Sequence, residues 1–234
     1  MMIAYIHSFG RSDAPDLDLK QIVPDALMRR RMSRIVRDGV KAAWMAQGEQ
    51  RVDAILTATA MGCLTDSEKF LRNFITTDEQ LLSPTSFIQS TFNTIGATIA
   101  LLQGNHCYNM TYTHGADSLA SALLDAVMIL GEQPDQRILV GAVEEFTPTL
   151  RTLLGRMGVN VLPERDGACF FTLSSSAEGA LARLEIRTDA STIHADHRHY
   201  ADPLAAAWTL CEALAEHRDW VQTINTLNIR VKCL

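Results

Sequence analysis

Short apolar runs alternate along the chain with longer amphipathic stretches. Residues 2–9 are apolar and aromatic and stop at Gly10, the pattern of a first strand. From Asp25 onward Leu27, Met28, Met32, Ile35, Val36, Val40, Ala43 and Trp44 recur at steps of three and four, which predicts one amphipathic helix ending near Gly48. Residues 52–60 are small and β-branched with no charge after Asp53, as in a strand covered on both faces. A short helix is expected over 66–75. Ser83 and Pro84 join a capping residue to one suited to the first helical turn. They predict a long helix through Phe87, Phe92, Ile95, Ile99 and Leu102 as far as Gly104. A strand over 107–113, a helix over 116–130 and a buried strand over 137–143 follow. Beyond a looped region with Pro148, Gly155, Gly158 and Pro163, strands are expected at 168–173 and 182–187. A polar connector over 189–200, a helix over 203–216 and a strand over 223–231 complete the chain.

This alternation predicts an α/β fold, a mixed and mostly parallel sheet covered by helices, with an antiparallel edge late in the chain. At 234 residues the protein has room for one large domain or two small ones. Hydrophobic residues at 47% and charged residues at 21% suit a chain with a substantial core. With 21 Lys and Arg against 27 Asp and Glu the net charge is −6, which lacks the footprint of a protein that lives on phosphate backbones. Nucleic acid is excluded as the main partner. The five cysteines, Cys63, Cys107, Cys169, Cys211 and Cys233, form no C-x-x-C pair and support neither a zinc site nor a redox pair. No basic leader with an apolar core is visible, and no apolar run reaches the roughly 18 residues of a spanning helix. The expectation is a cytoplasmic, reduced chain with no membrane span.

Candidate chemistry concentrates in "NMTYTHGADSLASALLDA", residues 109–126. A buried strand runs through Tyr112, Thr113, His114 and Gly115 straight into a helix. Such a corner presents a nucleophile in many α/β enzymes, because the helix N-terminus stabilises developing negative charge. Here Tyr112 holds the corner, and a phenol with a pKa near 10 is a poor nucleophile at neutral pH. The elbow is read as plugged. His114 is read as structural, with substrate contact as the alternative. Glu144 and Glu145 end a buried strand, but adjacent strand residues point to opposite faces and make no acid–base dyad. His194, Asp196, His197 and His199 lie close together in a connector without a fixed metal geometry, and no metal site is assigned. Arg29, Arg30, Arg31, Arg34 and Arg37 are read as a solvated helix face, with docking of an acidic carrier as the alternative. No phosphate-cradling glycine motif occurs, and no cofactor is expected.

Five segments together carry a family resemblance. They are "RRRMSRIVRDGVKAA" (29–43), "TATAMGCLTDSEKFL" (57–71), "SPTSFIQSTFNTIGATIALLQG" (83–104), "RILVGAVEE" (137–145) and "DGACFFTLSS" (166–175). In this order and spacing the chain resembles the N-terminal half of the β-ketoacyl synthases of the thiolase superfamily, over about residues 1–190. The resemblance implies a thiolase-like half with a five-stranded type of sheet, and a connector, terminal helix and strand over 191–234 that complete the same domain. It implies that Tyr112 stands where the family carries its acylated cysteine, and that the second half, with its catalytic histidines, has no counterpart. Without a thiolate no acyl chain is held covalently, and without the histidines no enolate is stabilised.

The short form is similar to chain-length factors of aryl polyene biosynthesis. The resemblance therefore implies a subunit inactive on its own, paired as a heterodimer with a full-length β-ketoacyl synthase and meeting acyl carrier protein through that complex. Phe92, Ile95, Ile99, Tyr112 and His114 would line the acyl tunnel. Cys107, Tyr108, Asn109, Met110 and Thr111 would pair with the partner's strand. Two alternatives stand beside this reading: a free-standing acyltransferase or hydrolase using His114 with Ser118, and a purely structural dimer partner.

Overall fold

The structure is a computed structural model, and it describes all residues except 15, 16, 79, 81, 160–164, 189–201 and 225–226. The chain opens with β1 (Met2–Arg11), α1 (Leu19–Ile22), α2 (Ala26–Arg31), α3 (Arg34–Gln47) and β2 (Ala54–Ala58). Then come α4 (Leu64–Thr76), α5 (Pro84–Gln89), α6 (Thr94–Gln103), β3 (Tyr108–Tyr112), a 3-10 turn (Gly115–Asp117) and α7 (Ser118–Glu132). The remainder is β4 (Ile138–Glu144), α8 (Pro148–Arg156), β5 (Gly167–Ser174), β6 (Ala182–Thr188), α9 (Pro203–Ala215), β7 (Trp220–Ile224) and β8 (Leu227–Cys233).

The strands form one sheet in the order β3-β2-β4-β5-β1-β6-β8-β7. The mixed sheet covered by helices is as expected, but the five-stranded, mostly parallel description needs correction. Among the described residues the sheet has 8 strands, and only β2 with β3 and β2 with β4 run parallel. The other neighbours are antiparallel. A continuous apolar run reports that both faces of a strand are covered, and says nothing about the direction of its neighbour.

Side chains that alternate along the central strands build two cores. Leu56, Val140, Phe171 and Leu184 pack with Leu123 of α7 and Trp208 of α9. Ile55, Leu139 and Phe170 point the other way, onto Ile35 and Val40 of α3 and Ile95 and Ile99 of α6. This strict alternation over period two places helices on both faces of the sheet.

Local polar competition explains where single predicted helices divide. The helix expected from Asp25 to Gly48 is α2 and α3, because Met32 and Ser33 are extended. Its apolar rhythm continues across the break because Met28, Met32, Ile35 and Val36 all reach one core. The helix expected from Ser83 to Gly104 is α5 and α6. Between them Thr91 Oγ1 donates to Asn93 Oδ1 (2.9 Å) and Thr94 Oγ1 to the Ile88 carbonyl (2.8 Å), offering the backbone an alternative to helix. The region around Pro148, expected as a loop, contains α8. Thr147 caps it by accepting the Leu150 N–H at 3.1 Å, and proline suits a first helical turn. The last expected strand is the β7–β8 hairpin.

Gly141, at the centre of the fully buried β4, lies against Phe170 of β5. A Cβ there would come within 2.2 Å of the Phe170 ring and 2.6 Å of the Cys169 carbonyl. Gly141→Ala is expected to cost about 1–3 kcal/mol through overpacking. In a chain of this size that lowers Tm by roughly 2–4 °C per kcal/mol, which a thermal melt reads directly.

Candidate functional site

The parallel strands β2, β3 and β4 end side by side, and the turns leaving them form the candidate site. The Thr59 N–H donates to the Tyr112 carbonyl at 3.0 Å, holding the exits of β2 and β3 together. Gly115 then adopts φ +59°, a left-handed conformation that a residue without Cβ takes at little cost. Ser118, at the start of α7, is fully buried. Its Oγ accepts the His114 N–H at 2.8 Å and lies 2.8 Å from the Gly115 carbonyl and 3.0 Å from the Thr59 carbonyl. One hydroxyl thus stitches the β2 turn to the β3 turn.

That geometry corrects the His114–Ser118 pairing. Histidine 114 reaches Ser118 through its main chain, while its ring Nδ1 lies 3.3 Å from Ser121 Oγ. Ser118 has no exposed surface and points its proton at carbonyl oxygens. A nucleophile needs a base at its proton and an open face, and Ser118 has neither here.

Tyr112 ends β3, partly buried against the α7 side of the sheet, with its ring 6.2 Å from that of His114. Burial raises its phenol pKa well above the ordinary tyrosine range, and the neighbouring Asp125 carboxylate and Tyr108 phenol raise it further. Tyr108 is shifted upward as well, by burial and by Asp125. This Tyr108–Asp125–Tyr112 grouping holds both phenols protonated, the reverse of an activated nucleophile. Asp125 has a signal in the sequence, as the single charge in the apolar stretch 118–131, and residues 108 and 112 share a strand face by parity.

Behind the turns sit two buried carboxylates with separate tasks. Glu144, fully buried at the end of β4, accepts the Ala60 N–H at 2.6 Å and the Met61 N–H at 3.0 Å, fixing the loop after β2. Burial pushes its pKa up to about 7; the Ala60 and Met61 bonds oppose that shift and the Asp202 charge adds to it. Glu145 turns elsewhere: it accepts the Thr65 N–H at 2.8 Å in the first turn of α4, where a carboxylate complements the helix dipole. Arg34 lies 3.8 Å from it. Cys63, also buried, has its thiol pushed up to about 12 by burial and then by Asp66, Glu145 and Glu144. It offers no reactive thiolate in place of the tyrosine.

The expected tunnel residues divide between two environments. Phe92 precedes α6 in the turn after α5, is 48% exposed, and lies close over Gly62, whose added Cβ would meet its ring at 2.8 Å. Ile95 and Ile99 do share a face of α6, but that face is the α3-side core, with Ile95 against Gly39. Tyr112 belongs to the opposite side of the sheet. The expected pairing segment sits at the sheet edge: Tyr108, Asn109, Met110 and Thr111 belong to β3, whose only neighbour among the described residues is β2, and exposed Cys107 precedes it. Tyr108 and Met110 are exposed, as are Ile88 and Leu101. Asn109 Nδ2 donates inward to the Gly96 carbonyl at 2.9 Å.

Of the arginine run, Arg29 donates to the carbonyls of Val23 and Pro24, Arg37 to that of Arg29, and Arg34 pairs with Asp38 at 3.3 Å and with Asp166. Arg30 and Arg31 remain exposed. The group His194, Asp196, His197 and His199 lies outside the described residues. Among the described residues no cluster of three metal-ligating side chains occurs, and no helix is long and apolar enough to cross a membrane.

Glu144 makes a pH prediction with a definite sign. Its folded-state pKa of about 7 exceeds the unfolded value of 4.5, so between these limits the folded chain binds more protons. Stability is therefore expected to fall as pH rises through that window. Glu145 and Asp202, also raised by burial, act in the same direction. Urea unfolding at pH 5 and pH 8 should show a smaller difference in Glu144→Gln than in the parent chain.

Three comparisons bear on the origin of this arrangement. No curated protein sequence matches the chain. Among solved structures, a chain of the ketosynthase (ApeO) in complex with its chain length factor (ApeC) from Xenorhabdus doucetiae superposes with TM-score 0.70 at 15% identity, covering 99% of this chain and 100% of that one. A chain of the ishigamide ketosynthase/chain length factor gives TM-score 0.68 at 14% identity, covering 93% and 85%. A chain of AntDE:AntF, a type II PKS acyl-carrier protein in complex with its ketosynthase bound to the hexaketide, gives TM-score 0.77 at 11% identity and covers both chains fully, at 100% each. At these identities the likeness is one of fold, and the fold is thiolase-like. The family model described as β-ketoacyl synthase, N-terminal domain, matches residues 7–224, nearly the whole sequence. The chain belongs to the β-ketoacyl synthase N-terminal domain family.

Proposed function

We propose that this protein is a chain-length-factor subunit, not catalytic by itself, that pairs with an active β-ketoacyl synthase and helps bound its acyl tunnel in polyketide or aryl polyene synthesis. The observation that carries the reading is Tyr112. It stands at the strand–turn–helix corner where the family's cysteine is expected, with a phenol that burial and Asp125 keep protonated. Chemistry then belongs to the partner, which also receives the acyl carrier protein. Among the proteins similar in fold, two are described as ketosynthases with chain length factors. Residues 1–190 would form the family's half, and 191–234 would complete the same domain in place of a second half. Five free cysteines fit a reduced, cytoplasmic setting.

In this reading β3 provides the joint. Its outer backbone has no neighbour among the described residues, and its sequence YNMTY carries no lysine or proline to discourage pairing. Residues 107–111 would add to the partner's sheet, flanked by exposed Ile88 and Leu101. Phe92, Tyr112 and His114 are the residues nearest the tunnel in this proposal, with Ile95 and Ile99 backing them from the core.

Co-expression with a neighbouring ketosynthase is expected to give a complex that co-purifies. Met110→Lys should weaken that complex without lowering Tm, because Met110 is 40% exposed in the chain alone. An undiminished complex would remove β3 from the interface. Tyr112→Cys, paired with a synthase whose own nucleophile has been removed, should give no extended product; extension would overturn the non-catalytic assignment. For chain length, Phe92→Ala is expected to shift the product distribution upward, since each two-carbon unit entering the space gains about 0.8 kcal/mol per buried CH2. Ile99→Ala removes a core side chain and is expected to cost roughly 2–5 kcal/mol of stability. Unshifted products for both variants would leave Phe92 and Ile99 out of the tunnel.

A further inference from the structure

The end of the sheet opposite the elbow holds a second constellation. Arg137 immediately precedes β4, which runs parallel to β2 as β3 does, so Arg137 lies at the strand entrance and Tyr112 at a strand exit. The length of β4 separates the two ends by roughly 20 Å. A cleft of about 340 Å³ opens there, lined by Arg137, His7, Ser174, Ser175, Ser176 and Asp135, among others. That volume is at the low end for small-molecule sites, which suits a compact ligand.

The guanidinium of Arg137 is half-buried and incompletely satisfied. Its Nη2 donates to Thr172 Oγ1 at 3.4 Å, while Nε is buried without a hydrogen-bond partner. Among the described residues it makes no ion pair. Asp53 accepts the Arg137 main-chain N–H at 2.8 Å rather than the side chain, and Asp135 lines the cleft without pairing. Burial lowers the arginine's pKa with no opposing acidic neighbour, the mark of an uncompensated charge. His7 enters from β1 with Nε2 2.8 Å from Ser174 Oγ, and its pKa is lowered by burial and by Arg137. Ser175 Oγ donates to the Pro134 carbonyl at 2.6 Å, and the Ser176 N–H donates to Ser174 Oγ at 3.1 Å.

We propose that this cleft binds a phosphate group, with Arg137 as its principal ligand and His7 and the Ser176 hydroxyl beside it. The planar fork of arginine matches an oxyanion with two parallel N–H bonds, and a phosphate would balance a guanidinium charge that no carboxylate pairs with among the described residues. Histidine adds positive charge beside the anion once the anion offsets the arginine's repulsion. The ligand is either inorganic phosphate or a phosphomonoester carried by a small molecule. The site lies apart from the elbow and the β3 edge, and does not depend on the chain-length role.

The test is a titration of the full chain with inorganic phosphate, glycerol 3-phosphate and sodium acetate at matched ionic strength in chloride. Tm and the His7 imidazole resonances, seen by carbon-13 labelling of histidine, are the readouts. Saturable movement of both with a phosphate compound is expected, together with a rise of about one unit in the His7 pKa. The tighter of the two compounds identifies the source. Arg137→Gln should weaken binding at least tenfold, Arg137→Lys by less, and Arg30→Gln, on the exposed face of α2, should leave it unchanged. If Arg137→Gln does not fold, Arg137→Lys carries the comparison. Movement that does not saturate, an equal response to acetate, or parental affinity in the Arg137 variants would overturn the site.

Discussion

Three parallel strands ending at the same level create a demand that the rest of the site answers. The turns that leave β2 and β4 are largely buried, and the one that leaves β3 packs its end, Ser118, beneath them, so their inward backbone N–H and C=O groups need partners other than water. Glu144 supplies two acceptors to the turn after β2, Thr59 binds the exit of β3, and Ser118 binds both turns. Side chains thus replace the solvent that these groups would otherwise meet. The cost falls on Glu144, whose carboxylate is held in a place where its charge is disfavoured.

The same confinement sets the chemistry of the elbow. A buried thiol such as Cys63, beside Asp66, Glu145 and Glu144, is driven away from its reactive thiolate form. Tyr112 and Tyr108 around Asp125 are driven away from the phenolate. Burial first, and the acidic neighbours after it, hold Cys63, Tyr108 and Tyr112 in their protonated forms. At this corner the Tyr112 ring packs against the α7 side of the sheet.

The proposed pairing role depends on the open edge of the sheet. The strand β3 is bound on one side by β2 and presents its other backbone edge outward, among side chains that bury well but lie exposed here. Antiparallel strands β6, β8 and β7 extend the sheet in the other direction, while α9 packs mainly on β4 and β5 from the α7 side. Among the described residues the sheet thus ends in two edge strands, β3 and β7.

Much of this was legible in the sequence because it depends on local rules. Apolar periodicity located most strands and helices, and the order of five motif segments pointed to the family and to Tyr112 at the elbow. Where the reading failed, a nonlocal contact or a local polar bond decided. Hydroxyl and amide groups at Thr91, Asn93 and Thr94 divided one helix into α5 and α6, and a capped Pro148 began a helix in what resembled a loop. Strand direction was invisible, since β2 and β5 are equally buried while one has parallel neighbours and the other antiparallel. His114 and Ser118 are neighbours in sequence and suggested a catalytic pair; the turn instead aims the serine at the backbone and the imidazole at Ser121. Sequence by itself determined the composition of the layers and the residue at the corner, because these follow from period and order. Only the tertiary structure decided which charges meet, since the pKa of Glu144 and the grouping of Tyr108, Asp125 and Tyr112 arise from burial among segments distant along the chain.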